Sequence, residues 1–135
     1  EPAVDSALAL AGVDSLEGRF LAAYDRKDLN GILATYTHDI RFVIEGKRFD
    51  GKAAIRKAWE RSLPAMSGLK FQPVTRSVQG NLGVSLESFT QRFREPGKPE
   101  QTDSGYSLGV LRRQSDGRWL FQTVMLSRPP EKAAK

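Results

Sequence analysis

The sequence predicts an α+β fold in which three N-terminal helices pack on one face of a curved, mostly antiparallel sheet. Apolar residues recur at helical spacing between Leu16 and Trp59, and from Leu69 onward the period changes to strand-like alternation. The alternating segments are separated by Gly80-Asn81, by Glu95-Pro96-Gly97-Lys98-Pro99 and by Asp116-Gly117, all with the turn chemistry of hairpins. Consecutive hairpins make an antiparallel meander, and helices that precede it cover one of its faces.

Each element follows from local chemistry. Residues 1–14, rich in Ala with one Pro, read as a flexible arm or a docking helix ahead of a single domain spanning residues 15–127. Asp14 with Glu17 three residues on has the capping-box pattern, and Leu16, Phe20, Ala23 and Tyr24 then share one helical face. Asp28 can cap a second helix in which Leu29, Ile32, Leu33 and Tyr36 repeat that spacing, although Gly31 costs about 1 kcal/mol relative to Ala. Ile40 to Glu45 is β-prone, Gly46-Lys47 turns and Arg48-Phe49 returns. Asp50-Gly51 opens a third helix with the stripe Ala54, Ile55, Ala58 and Trp59, limited by Pro64. Four strands follow, over residues 69–78, 84–93, 106–113 and 118–127. Residues 128–135, with Pro129-Pro130 and a charged small-residue end, read as a disordered tail.

Composition narrows the function. A chain of 135 residues forms one domain, and 39% hydrophobic with 27% charged residues describes a folded, soluble protein. No apolar run approaches the length of a membrane span. The absence of Cys and the single His38 exclude thiolate chemistry and a zinc cluster, and no cofactor or metal is expected. A net charge of +5 is scattered through the chain without a basic run, so nucleic acid is not the expected partner. Phosphate loops, dinucleotide fingerprints and nucleophile elbows are absent. The chain begins at Glu1, which fits a cytoplasmic protein or an exported one with its leader removed.

The order Leu16 to Asp39, a short β segment, Gly51-Lys52-Ala53-Ala54-Ile55-Arg56 with Trp59, and a closing Asp116-Gly117-Arg118-Trp119 hairpin resembles the cone-shaped fold of nuclear transport factor 2, the polyketide cyclase SnoaL and ketosteroid isomerase. The resemblance implies a sheet curled round a deep pocket, lined by helices and by the inner sheet face. It also implies a homodimer through the outer sheet face. The superfamily contains isomerases, cyclases, dehydratases and plain binding domains, so the fold alone selects none of them.

The isomerase's chemistry requires an Asp base and an oxyanion hole of a Tyr and a protonated Asp. The resemblance places those positions at Ile44, Phe20 and Gly109, none of which can serve, so ketosteroid isomerase activity is not expected. A register shift of one residue would bring Glu45 to the base position, against its reading as a turn residue beside Gly46. His38 is the one imidazole and reads as a helix-end residue or as a catalytic group. Glu87 lies in a strand whose two faces the pattern does not distinguish. Facing inward it is a buried acid or base with a raised pKa, and facing outward it pairs with a neighbouring Arg.

Phe20, Tyr24, Tyr36 and Trp59 lie on helix faces turned toward the sheet, where core packing and a pocket wall coincide. With Ile44, Gly109 and Gln122 they form the expected ligand-binding set. The last-hairpin alignment faces Ser107, Gly109, Leu111, Leu120, Gln122, Val124 and Leu126 inward. It leaves Tyr106, Leu108, Val110, Trp119, Phe121 and Met125 on an outer face apolar enough to mark a dimer interface. Three functions fit: a binding domain for a small apolar or aromatic ligand; a lyase, isomerase or cyclase using Glu45, His38 or Glu87; and a homodimeric interaction module.

Overall fold

A computed structural model describes residues 5–129. The elements in order are α1 (Asp5–Asp25), α2 (Leu29–Leu33), β1 (Tyr36–Ile44), β2 (Lys47–Asp50), α3 (Lys52–Ser62), a 3₁₀ turn (Leu63–Ala65), β3 (Met66–Gln79), β4 (Leu82–Phe93), β5 (Gln101–Arg113) and β6 (Trp119–Ser127). The six strands form one sheet in the order β2-β1-β6-β5-β4-β3. Every neighbouring pair is antiparallel except β1 with β6, so the α+β, mostly antiparallel architecture read from the sequence is the one observed.

The N-terminal arm expected before Ser15 is, from Asp5 onward, part of α1, and residues 1–4 lie outside the described residues. Val13 and Leu16 explain the extension: with Leu111 and Trp119 they form a buried cluster at one end of the sheet. Gly12 admits the indole, since a Cβ there would stand 2.6 Å from Trp119 Cδ1. The capping-box reading of Asp14 and Glu17 is therefore corrected. Three residues apart on one helical face, both reach across to Arg76 of β3 instead.

Helix α1 ends because Lys27 turns left-handed at φ 59°. The Lys27 N–H donates to the Tyr24 carbonyl and the Asp28 N–H to that of Ala23, the two bonds of a Schellman motif. Asp28 then caps α2 by accepting from the Gly31 N–H at 3.0 Å. α2 is only five residues long, so the helical reading of Tyr36 is corrected: Tyr36 opens β1. Its neighbour Thr35 ties this start to the sheet, its carbonyl accepting from the Phe121 N–H at 2.8 Å. Between β1 and β2, Glu45 and Gly46 at φ 51° and 82° form a two-residue hairpin turn.

Strand β3 is an edge strand, which accommodates Pro73 without loss of a ladder bond elsewhere in the sheet. Irregularities at Ser67/Lys70 and Pro73/Thr75 bend it. A further bulge sits in β6, where Phe121 faces Leu111 and Thr123 faces Val110, leaving Gln122 unpaired. That extra residue reverses the expected facing of the start of β6. Trp119 and Phe121 point inward and Gln122 points away from the core, whereas Val124 and Leu126 beyond the bulge face inward as expected.

The main core joins Phe20, Ala23 and Tyr24 of α1, Ile32 and Leu33 of α2, Tyr36 and Ile40 of β1, Ile55 of α3 and Val124 of β6. Each fully buried large apolar side chain contributes about 1.5–3 kcal/mol of transfer free energy, which makes this layer the main source of stability. The other side of the sheet carries Val84, Tyr106, Leu108 and Met125, all exposed. Residues 130–135 of the expected tail lie outside the described residues, while Arg128 is tied into the domain by ion pairs with Glu45 and Asp103.

Candidate functional site

Helices α1 and α3 do not fill the space under the curved sheet, and a cavity of about 130 Å³ remains between them and its inner face. Its wall is mostly apolar and rich in aromatic rings. Phe20 enters from α1, Trp59 from α3, Tyr36 and Phe42 from β1, Phe71 from β3, Phe89 from β4 and Phe121 from β6. Phe20 is the hub, with ring centroids 6.1 Å from Trp59, 6.3 Å from Phe71 and 6.0 Å from Phe121. The Phe20 contacts with Trp59 and Phe121 are edge-on, a geometry that orients the rings as well as burying them.

Polar groups enter the cavity chiefly from β4 and β5. Strand β4 turns Ser85, Glu87, Phe89 and Gln91 inward, all buried, and β5 contributes Ser107 and Gly109. The face of Glu87 is thus resolved: it is inward, 5% exposed, and also ion-paired. Arg76 donates to Glu87 Oε2 at 2.9 Å and to Glu17 Oε1 at 2.7 Å, and it also bonds Asp14. Burial raises the Glu17 pKa to about 8, helped by the adjacent Glu87 carboxylate and opposed by Arg76, so the Glu17–Glu87 pair retains a proton at neutral pH. Burial opposes the Arg76 charge, but its bonds to Glu87 and Asp14 prevail and raise its pKa.

On another wall the Trp59 indole N–H donates to the Tyr36 hydroxyl at 3.1 Å. Burial raises the Tyr36 pKa, so the phenol remains neutral and able to donate. A third polar group is a hydrogen-bonded chain: Tyr24 Oη donates to Gln91 Oε1 at 2.8 Å, and Gln91 Nε2 to Asp103 Oδ2 at 3.0 Å. Arg128 Nε lies 3.1 Å from the same Asp103 oxygen. No group of three or more His, Cys, Asp or Glu suited to a metal occurs among the described residues.

Of the expected ligand-binding set, Phe20, Tyr36, Ile44, Trp59 and Gly109 line this cavity, and so does Glu87. Tyr24 does not: it is fully buried behind the wall with its hydroxyl engaged by Gln91. Gln122 is also outside, displaced by the β6 bulge; it accepts from Arg112 Nε at 3.0 Å and donates to Asp39 at 3.4 Å. Glu45 occupies the β1–β2 turn, exposed and paired with Arg128, and His38 lies exposed within β1, not at a helix end. Ser107 lines the wall, inward as the last-hairpin alignment has it, and Ser85, Phe71 and Phe89 join it without having been singled out in the sequence. The alternation of β4 was the available signal, but it needed the position of α1 to choose between its two faces.

The three positions that the isomerase comparison placed at Phe20, Ile44 and Gly109 stand in one cavity without a reactive side chain among them. The cavity's carboxylate comes from β4 instead.

Solved structures share this architecture. A ketosteroid isomerase-like protein from Erwinia carotovora superposes with a TM-score of 0.77 at 17% identity, over 90% of this chain and 97% of its own. A nuclear transport factor 2-like protein of unknown function from Pseudomonas putida gives 0.75 at 24% identity, over 93% and 89%. A protein of unknown function from Mycobacterium tuberculosis gives 0.77 at 18% identity, over 96% and 76%. At these identities the likeness establishes the fold alone. No curated protein matches the chain. The family model of the SnoaL-like domain matches residues 18–121, most of the sequence, and with the architecture described above this chain belongs to the SnoaL-like domain family.

Proposed function

We propose that this domain binds a small, largely apolar or aromatic molecule in the cavity beneath its curved sheet. The observation that carries the reading is the aromatic wall around about 130 Å³ of open space. Interiors normally close such space, and a cavity of about 150 Å³ lined by apolar side chains takes up benzene. A ligand of one six-membered ring therefore matches the volume, with any remainder extending through the open side. The test is a thermal-shift and calorimetric series with toluene, indole and p-cresol. Saturable stabilisation by at least one is expected, and none by any of the three would remove the reading.

A second reading has one specific observation behind it, the inward Glu87 carboxylate held with Glu17 on Arg76. A base in an apolar cavity can remove a proton next to a carbonyl. This predicts deuterium uptake at the α-carbons of cyclohexanone in heavy water, abolished in Glu87→Gln. Uptake no faster than in buffer would leave binding without catalysis.

The exposed apolar side chains Val84, Tyr106, Leu108 and Met125 sit on adjoining positions of β4, β5 and β6, and we propose that a second copy of the chain covers them. Sedimentation at micromolar concentration should give a dimer, and Leu108→Lys a monomer. A wild-type monomer would refute this part.

A further inference from the structure

The cavity contains a hydrogen-bonding group with no use in the fold. Ser85 is 4% exposed, and its Oγ has no hydrogen-bond partner among the described residues. A buried hydroxyl left unpaired costs about as much as a hydrogen bond contributes, so such an atom in a cavity wall points to a missing partner. Its surroundings define what that partner is. Directly across the ladder from Ser85 is Gly109, and across from Glu87 is Ser107. These four inward residues make a compact polar block on β4 and β5, facing aromatic rings on the other walls.

Gly109 is not required there by backbone conformation or by crowding. A Cβ at that position would meet Leu111 and Phe121 side-chain atoms at 3.5 Å and beyond, ordinary contact distances. What glycine provides is an inward position without a side chain, directly across the ladder from Ser85.

We propose that the polar block of Ser85, Glu87, Ser107 and Gly109 is a hydroxyl-recognition subsite, and that the ligand is an aromatic or alicyclic molecule bearing an alcohol or phenol group. The inference rests on the binding reading above and gives the ligand its orientation. Serine hydroxyls donate and accept, but an ionised carboxylate only accepts. A ligand hydroxyl meets both demands by donating to Glu87 and accepting from Ser85, whereas an ether or carbonyl oxygen can satisfy only the serine. Glu87 has capacity for this while it also accepts from Arg76, because a carboxylate offers about four acceptor sites.

The experiment compares three one-ring ligands of similar shape, toluene, 4-methylanisole and p-cresol, by calorimetry on the full chain. With the hydroxyl seated on Ser85 and Glu87, p-cresol should bind about tenfold or more tightly than either of the others. Ser85→Ala should bring p-cresol close to the affinity of 4-methylanisole and leave toluene unchanged within about twofold. Gly109→Ala, which fits its surroundings, should weaken p-cresol selectively by filling the space beside the hydroxyl. Equal affinities of the wild type for all three ligands would overturn the subsite and leave the binding reading standing. An unaltered preference for p-cresol over toluene in both variants would also overturn it. Failure of these three and of indole to bind would remove both.

Discussion

Replacing Glu17 with Gln tests the charge arrangement under α1 directly. Glu17 is buried against Glu87 and Arg76, with side-chain exposures of 12%, 6% and 16% respectively. Burial and the neighbouring carboxylate raise its pKa from 4.5 to about 8. Between those values the folded chain holds a proton that the unfolded chain has released, so stability is greatest below the lower value and falls as pH rises toward the upper one. One such proton gives a slope of about −1.4 kcal/mol per pH unit, or about 2.7 kcal/mol between about pH 5.5 and about pH 7.5. Partial solvent access through the exposed Asp14 side of the cluster lowers this to about 1–2 kcal/mol. Gln has the shape of protonated Glu and can donate to Glu87, but it does not titrate. Urea unfolding followed by Trp fluorescence at both pH values should show the wild type losing that stability and Glu17→Gln losing less by the same amount. Titrating groups outside the Glu17–Glu87–Arg76 cluster cancel in the difference. Parallel pH dependence of the two proteins would refute a shared proton between Glu17 and Glu87.

Two further substitutions probe the walls that shape the cavity. Gly12→Ala, favourable by about 1 kcal/mol in an open helix, should here destabilise by about 1–2 kcal/mol because its Cβ meets the Trp119 ring at 2.6 Å; denaturant midpoints measure it, and a stabilised variant would contradict the packing. Tyr24→Phe should cost about 1–3 kcal/mol by leaving Gln91 Oε1 unpaired in the core, with p-cresol and toluene affinities changed less than about threefold because the ring lies behind the wall.

Local chemistry made the fold legible. The Asp28 cap, the Gly51 start of α3 and the three hairpin turns of the meander each act within a few residues, and each stands where the sequence places it. What misled was chemistry that has two uses. Asp14 and Glu17 fit a capping box, yet the same three-residue spacing puts both on one helical face, where Arg76, 62 residues beyond Asp14, collects them. Tyr36 continues a helical stripe, but α2 is too short to reach it. On β6 the alternation was read correctly in period and wrongly in phase at its start, because one bulge at Gln122 turns Trp119 and Phe121 inward. A bulge of this kind comes from the bending of the whole sheet and leaves no turn residue to announce it.

The same distinction explains why the resemblance located the cavity but not its polar groups. Phe20, Ile44 and Gly109 line one space because the fold fixes where helix, strand and hairpin converge. Their side chains are free to differ, and here all three are inert. Polarity is displaced one strand over, to Ser85 and Glu87 opposite Gly109 and Ser107. That displacement requires α1 to carry Glu17 and Asp14, since an inward Glu87 needs Arg76, and Arg76 in turn needs partners on its other side. The acidic face of α1 and the polar block in the cavity are thus one electrostatic unit. Neutralising Glu87 alone leaves Arg76 buried with fewer partners, so Glu87→Gln should lower stability as well as p-cresol affinity, whereas Ser85→Ala, outside the ion pairs, should lower affinity alone. Loss of stability in Ser85→Ala comparable to that in Glu87→Gln would mean the Ser85 hydroxyl serves the fold and not a ligand.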